Sequence, residues 1–303
     1  MSTDENTFVY SRTDPGSPTL LTERSRIAHV RKRVIRAIRS AVDDAGAEGV
    51  VVAMSGGLDS TTTAMLAVEA LGSDRVLGLG LPCYKADQPG VSDARTIADG
   101  LGIEFHELQL RPLLETFDGM VTPALEPEAE PERPNERNRE FGNATARFRM
   151  ACAYYAANRQ SRLVLGTANR SELLLGYFTK YGDGGADRYP IGDLYKTEVR
   201  TLASQTGVPR RIVTKEPTAG FFAGQTDLEE IGASYDVIDP LLGRLVDYEE
   251  SVAEAAATVG VDLETAESIA GMITETAHKR AIPQTPGIDD RVVPVDPLGD
   301  GER

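Results

Sequence analysis

Cysteine is nearly absent from this chain: 303 residues carry two. Cys83 and Cys152 lie far apart, in neither a CxxC nor a metal-ligand spacing, which argues against a structural zinc and for a reducing cytoplasm. Two ordinary thiols is the simplest reading. Long apolar runs are missing too. Nothing reaches the roughly eighteen residues that a membrane span needs. Basic residues are in short supply, with 32 Lys and Arg against 47 Asp and Glu, a formal charge of −15. A sequence-independent nucleic-acid binder needs the opposite sign over its footprint, so that class is excluded. The acid is spread through the chain, a distribution suited to a halophilic cytoplasm in which salt screens self-repulsion. The opening MSTDENTFVYSRTDPGSPT has no apolar core and is no signal peptide; residues 1–22 read as a disordered tail. No internal repeat stands out, and no GxxxxGK[ST] loop is present.

What is present begins with VVVAMSGGLDSTTTAM, residues 50–65. Val50 to Ala53 read as a buried strand, Ser55, Gly56 and Gly57 as a tight turn, and Leu58 onward as a helix with Ala64, Val68 and Leu71 inward. A glycine turn that opens a helix presents unpaired N–H groups to an anion, and Ser55 and Ser60 can add hydroxyl donors. Asp59 does not suit a loop that only binds anions. Its carboxylate would repel phosphate unless a cation sat between them, so the economical reading is a pyrophosphate loop with Asp59 holding Mg²⁺.

Around this loop, a first helix is expected from about Glu23 to Val42, with Ile27, Val30, Val34, Ile38 and Val42 at helical spacing. Its opposite face carries Arg31, Lys32, Arg36 and Arg39, open to phosphate or simply to solvent. Apolar runs at Val76 to Leu81, Ile103 to Leu110 and Leu163 to Gly166 alternate with helical stretches at Asp93 to Leu101 and Ala144 to Asn158. That alternation predicts an α/β fold, a parallel sheet flanked by helices with its ligand at the carboxyl ends of the strands. EPEAEPERPNERN, residues 126–138, reads as a mobile loop, either a lid or plain surface. Past Gly207 strand signals stop, and Leu263 to Lys279 reads as one amphipathic helix capped by Asp262.

Residues 163–200 repeat the logic of the first loop: a strand, Gly166, then Thr167, Asn169 and Glu172 leading into a helix. Thr167 and Asn169 can read a nucleotide. Glu172 can share the cation of Asp59, since Mg²⁺ takes one or two protein carboxylates with phosphate oxygens and water. Helix-dipole complementarity is the alternative for Glu172. TKYGDGGAD sets Lys180, Asp183 and Asp187 among three glycines, where little apolar surface can be buried. Lys196 opens a helix, a poor place for a cation unless an anion is near.

The SGGLDS loop resembles that of the N-type ATP pyrophosphatases, the adenine nucleotide alpha-hydrolase-like fold. Taken in order, SGGLDS, GTANRSE, GYFTKYGDGGAD, PIGDLYKTEV, KEPTAGFFAGQTD and HKR resemble the NAD synthetases. The similarity covers about residues 24–285, within a single domain expected over 23–288 and followed by a tail over 289–303. No amidotransferase or nitrilase domain precedes it, so the resemblance is to the short, ammonia-dependent form. It implies a cytoplasmic ligase that amidates nicotinic acid adenine dinucleotide with ammonia and ATP, leaving AMP and diphosphate. It further implies that Ala53, Met54, Ser55, Gly56, Gly57, Leu58, Asp59 and Ser60 hold ATP, completed by Thr167, Lys196 and Thr218. Asp59 and Glu172 would ligate Mg²⁺. Arg147, Lys180, Asp187, His278 and Lys279 would contact the dinucleotide, with Arg149 the rival to Arg147. Asp183 is the candidate proton acceptor from ammonium, with water as the alternative. A homodimer is implied as well. The apolar stripe of the first helix could serve it, or could cover the sheet of its own chain.

Overall fold

The computed structural model describes residues 20–125, 134–217 and 227–283. Four strands, β1 (Gly49–Ala53), β2 (Val76–Gly80), β3 (Glu104–Glu107) and β4 (Arg162–Leu165), form a parallel sheet in the order β3-β2-β1-β4. Val51 sits opposite Leu77 on one side and Val164 on the other, so β1 is central and the strand order reverses beside it. Such a reversal opens a crevice at the carboxyl ends of the strands.

Helices fill the connections: α1 (Arg24–Asp44), α2 (Leu58–Leu71), α3 (Gln88–Leu101), α4 (Arg111–Leu125), α5 (Pro134–Arg159), α6 (Arg170–Leu175), α7 (Lys196–Thr206) and α8 (Arg210–Val213). They are followed by α9 (Asp227–Ile231), α10 (Tyr235–Leu242), α11 (Val252–Val259), α12 (Leu263–Glu275) and α13 (Ala277–Arg280).

Side chains alternate across β1 and divide the core. Val50 and Val52 join a cluster with Ile27 and Ile38 of α1, Leu66 of α2 and Leu202 of α7. Val51 faces the other way, with Leu77, Leu79, Val164 and Ala153 and Ala157 of α5. A third cluster draws on no strand, joining Leu175 of α6 to Ile238 and Leu241 of α10 and Ile269 of α12. The α1 stripe therefore belongs to its own chain, where burying each large aliphatic side chain contributes about 1.5–3 kcal/mol. The basic face of α1 is put to structural use: Arg39 donates to the carbonyls of Ala70 and Glu69, and Arg31 pairs with the Glu69 carboxylate. These contacts satisfy the C-terminal end of α2, where cations are favoured.

The structure differs from the sequence reading at several points. Leu20 and Leu21 already pack against the third and first clusters, so the chain is engaged before the expected tail boundary at 22. The helix expected from Ala144 starts at Pro134, inside the supposed 126–138 loop; Pro suits a first turn, and Glu and Arg propagate a helix well. Residues 126–133 lie outside the described part, as do 1–19 and 284–303, which include the expected C-terminal tail. The apolar run at Ile103 to Leu110 yields only a short strand, largely exposed at the sheet edge. Asp262 caps α12 through the Thr265 N–H at 2.8 Å, but the helix breaks at Thr276. There the Thr276 hydroxyl meets the carbonyls of Leu175 and Met272, and Arg280 donates to those of Leu173 and Leu174. Docking onto the end of α6 ends the helix that periodicity alone would have continued. Both cysteines are free thiols whose pKa burial raises, as suits two structural residues.

Candidate active site

β1 ends by passing the Met54 N–H to the Leu79 carbonyl, and the chain then turns sharply into α2. Gly56 has φ +73°, and a Cβ there would lie 2.0 Å from the Gly90 carbonyl oxygen, so only glycine fits between the loop and α3. Ser60 Oγ accepts from the Ser55 N–H at 3.2 Å, and the Ser55 hydroxyl accepts from the Gly57 N–H at 3.3 Å. Gly57, at the N-cap of α2, supplies no side-chain cap. The first turn of α2 is thus a preformed anion cradle at the carboxyl end of the central strand.

Asp59 stands in that first turn, and the partners it meets come from distant parts of the chain. One carboxylate oxygen accepts from Lys196 Nζ at 2.6 Å, the other from Asn169 Nδ2 at 3.1 Å. The same ammonium reaches Glu172 Oε1 at 2.9 Å. Asn169 caps α6 by accepting from the Glu172 N–H at 3.0 Å, while Glu172 accepts in return from the Asn169 N–H. A single asparagine therefore orients both carboxylates. The sequence offers its amide as a nucleotide contact, and in the structure it bonds Asp59 and the Glu172 N–H.

Lys196 is 5 % exposed, and its placement is over-determined. Its N–H donates to Ser171 Oγ at 2.9 Å; that hydroxyl donates to Asp239 at 2.6 Å, and Asp239 also accepts from the Thr197 N–H. Burial works against the ammonium, but the charges of Asp59 and Glu172 more than offset it, so Lys196 stays charged above the ordinary lysine range. Glu172 is raised, first by burial and then by Asp59, with Lys196 opposing. The anion that a cation at a helix start demands is therefore present twice over.

The second constellation gathers at the loop after α6. Lys180 Nζ donates to the His278 carbonyl, and Lys279 Nζ to those of Gly176 and Phe178 at 2.7 and 3.0 Å. Asp183 accepts from the Thr179 N–H at 2.9 Å; surrounding protein raises its pKa although the residue keeps solvent contact, with Lys279 among the charges that oppose the rise. Lys180, Asp183, His278 and Lys279 are thus brought together from segments about a hundred residues apart. Asp187 is committed elsewhere, bound by the Val164 N–H at 2.7 Å and the Tyr154 hydroxyl at 3.1 Å. Of the two arginines in NATARFRM, Arg149 braces the loop after β2 through Leu81 O and Asp87. Arg147 is exposed and makes no hydrogen bond or ion pair among the described residues. Thr167 lies half-buried just beyond β4, and Thr218 falls outside the described residues.

A sequence profile of the NAD synthase family matches residues 30–283. The chain belongs to this family. The ammonia-dependent NAD synthetase of Pyrococcus furiosus is 40% identical over 262 residues, covering 86% of this chain and 97% of that one. Among solved structures, the NMN synthetase of Francisella tularensis matches with a TM-score of 0.73 at 31% identity, over 86% of this chain and 99% of that one. The ammonia-dependent NAD synthetase of Campylobacter jejuni, solved with a nitrate ion, matches with a TM-score of 0.67 at 25% identity, over 86% and 98%. NAD synthetases are ligases that form a C–N bond, and the parallel sheet flanked by helices is their fold. No helix among the described residues is long and apolar enough to cross a membrane.

A metal of this NAD synthase fold would find its ligands in Asp59 and Glu172. Their oxygens converge on one point, the one Lys196 Nζ now meets, and both are hard donors. No group of three or more acidic, His or Cys side chains able to hold a metal occurs among the described residues. Two carboxylates suit Mg²⁺, which fills its shell with phosphate oxygens and water.

Proposed function

We propose that this chain amidates nicotinic acid adenine dinucleotide with ammonia at the expense of ATP, giving NAD, AMP and diphosphate. The observation that carries the reading is the Asp59–Lys196–Glu172 cluster beside the uncapped start of α2. In the first step the nicotinate carboxylate attacks the α-phosphorus and diphosphate departs. Residues 53–60 hold the phosphates with their N–H groups, and Lys196 meets the charge that develops on the leaving oxygens. Asp59 and Glu172 would hold Mg²⁺, which would supply further positive charge for the phosphate oxygens. In the second step ammonia attacks the adenylated carboxyl and AMP leaves. Ammonium must first lose a proton, and Asp183, with its raised pKa, takes it. Arg147, Lys180, His278 and Lys279 bind the dinucleotide. Asp187 supports that site from its anchored position.

The likeness to an NMN synthetase favours a second reading, in which the acceptor is the mononucleotide. Diphosphate release measured with ATP, Mg²⁺ and ammonium separates the two. Release is expected with nicotinic acid adenine dinucleotide and far less with nicotinic acid mononucleotide. The reverse preference overturns the dinucleotide assignment, and release from neither overturns the activity.

The protein acts as a cytoplasmic homodimer in this reading. With the α1 stripe buried, the candidate interface moves to α4, where Leu113, Phe117 and Met120 form an exposed stripe at i, i+4 and i+7. Light scattering is expected to give twice the monomer mass in high salt and the monomer mass for Met120→Glu. Low salt weakens the dimer because the −15 charge is poorly screened. A wild-type monomer at high salt that still makes NAD refutes the assembly.

A further inference from the structure

Asp227 is the acidic neighbour of the cluster that no step above employs. It is 4 % exposed and opens α9, its N–H closed onto the Pro217 carbonyl. The Tyr235 hydroxyl donates to one of its oxygens at 2.9 Å. Tyr177 lies 3.3 Å from the other, but its single proton is shared with Glu230, so Tyr235 is the firm partner. The face of the Tyr235 ring meets Lys196: the ammonium nitrogen lies 5.3 Å from the ring centroid. Tyr235 and Asp239 are one turn apart on α10, so one helix face meets the Lys196 ammonium through the Tyr235 ring and, through Asp239, holds the Ser171 hydroxyl and the Thr197 N–H beside it.

We propose that Asp227 is a positioning residue that, through Tyr235, holds the Lys196 ammonium when Asp59 and Glu172 ligate metal. The proposal rests on the metal and lysine assignments above. A divalent cation on the same two carboxylates repels the ammonium beside it, so metal binding weakens both ion pairs of Lys196. An ammonium left buried in that position still needs a negative partner nearby. Asp227 supplies it. Before ATP brings its phosphates, three carboxylates, those of Asp59, Glu172 and Asp227, balance one ammonium and one divalent ion, whereas two would leave a buried excess of positive charge. The hydrogen bond from Tyr235 to a carboxylate also makes its ring face more negative and a better seat for a cation.

Asp227→Asn tests the charge with little change of shape, since the amide oxygen can still accept from Tyr235. The expected result is an unchanged melting temperature, kcat about tenfold lower at saturating substrates, and an unchanged KM for the dinucleotide. Mn²⁺ titrated without ATP and followed by electron paramagnetic resonance should bind about threefold more weakly, because one negative charge near the site is gone. Tyr235→Phe should move kcat in the same direction by less, and Asp227→Glu should recover part of the loss. Wild-type kcat and Mn²⁺ affinity in folded Asp227→Asn would overturn the proposal. So would a fall in kcat that only tracks lost folded protein, with Mn²⁺ binding unmoved. A wild-type enzyme inactive on the dinucleotide would instead remove the functional reading, and the Mn²⁺ titration would still judge Asp227.

Discussion

Asp59→Asn and Glu172→Gln are each expected to lower diphosphate release by about 10²–10³-fold while the protein stays folded, the loss typical of removing one preorganised electrostatic group. The carboxamides preserve the framework: Asn at 59 can still meet Asn169, and Gln at 172 can still close the α6 capping box. What they remove is charge at the one point where both carboxylates converge. A divalent cation held by one carboxylate in place of two loses half of the protein charge that holds it. Diphosphate release and circular dichroism, measured side by side, check this. Near-normal release from either folded variant would dismiss the pair as metal ligands.

Lys196→Ala and Lys180→Ala should fail in different ways. Lys196→Ala leaves Asp59 and Glu172 facing each other without their shared cation, and breaking a buried ion pair from one side costs about 3–5 kcal/mol. Millimolar Mg²⁺ should therefore raise the melting temperature of this variant more than that of the wild type, although ATP turnover is lost. Lys180 has a single carbonyl partner, on His278, at the edge of the second constellation. Its removal should raise KM for the dinucleotide roughly ten- to a hundredfold, the worth of one charge-assisted hydrogen bond, with little change in the ATP dependence. If Lys180→Ala altered only the ATP dependence, the two sites would have to be exchanged. Initial-rate kinetics with each substrate varied in turn decide it.

The strand–turn–helix that carries Asp59 was legible because its information is local. Four apolar residues, two glycines and a hydroxyl-rich helix start can do little else, and the helix start was found at Leu58 as expected. Lys196 was legible as an anomaly, a cation where a helix prefers an anion, and the structure supplies two carboxylates for it. The helix from Pro134 was not legible, because proline and charge read as a loop until a first-turn proline and good helix formers are recognised together. Nor was the division of labour between Arg147 and Arg149. They are two residues apart on one helix, and only the loop after β2, folded against that helix, occupies one and leaves the other.

By itself the sequence determined the alternation of strand and helix, the phosphate-binding turn, the carboxylates suited to a hard cation, and membership of the NAD synthase family. Each of these follows from residue type at short spacing. The tertiary structure alone decided that Asn169 aims both carboxylates, that Asp187 is anchored to β4, that the α1 stripe lies in its own core, and that Asp227 stands behind Lys196. The physical reason is range. Periodicity and turn chemistry act over a few residues, whereas Lys196 meets Asp59 across 137 residues of chain and Asn169 meets it across 110. Where a side chain's partner comes from that far away, its role is set by which helices the sheet brings together.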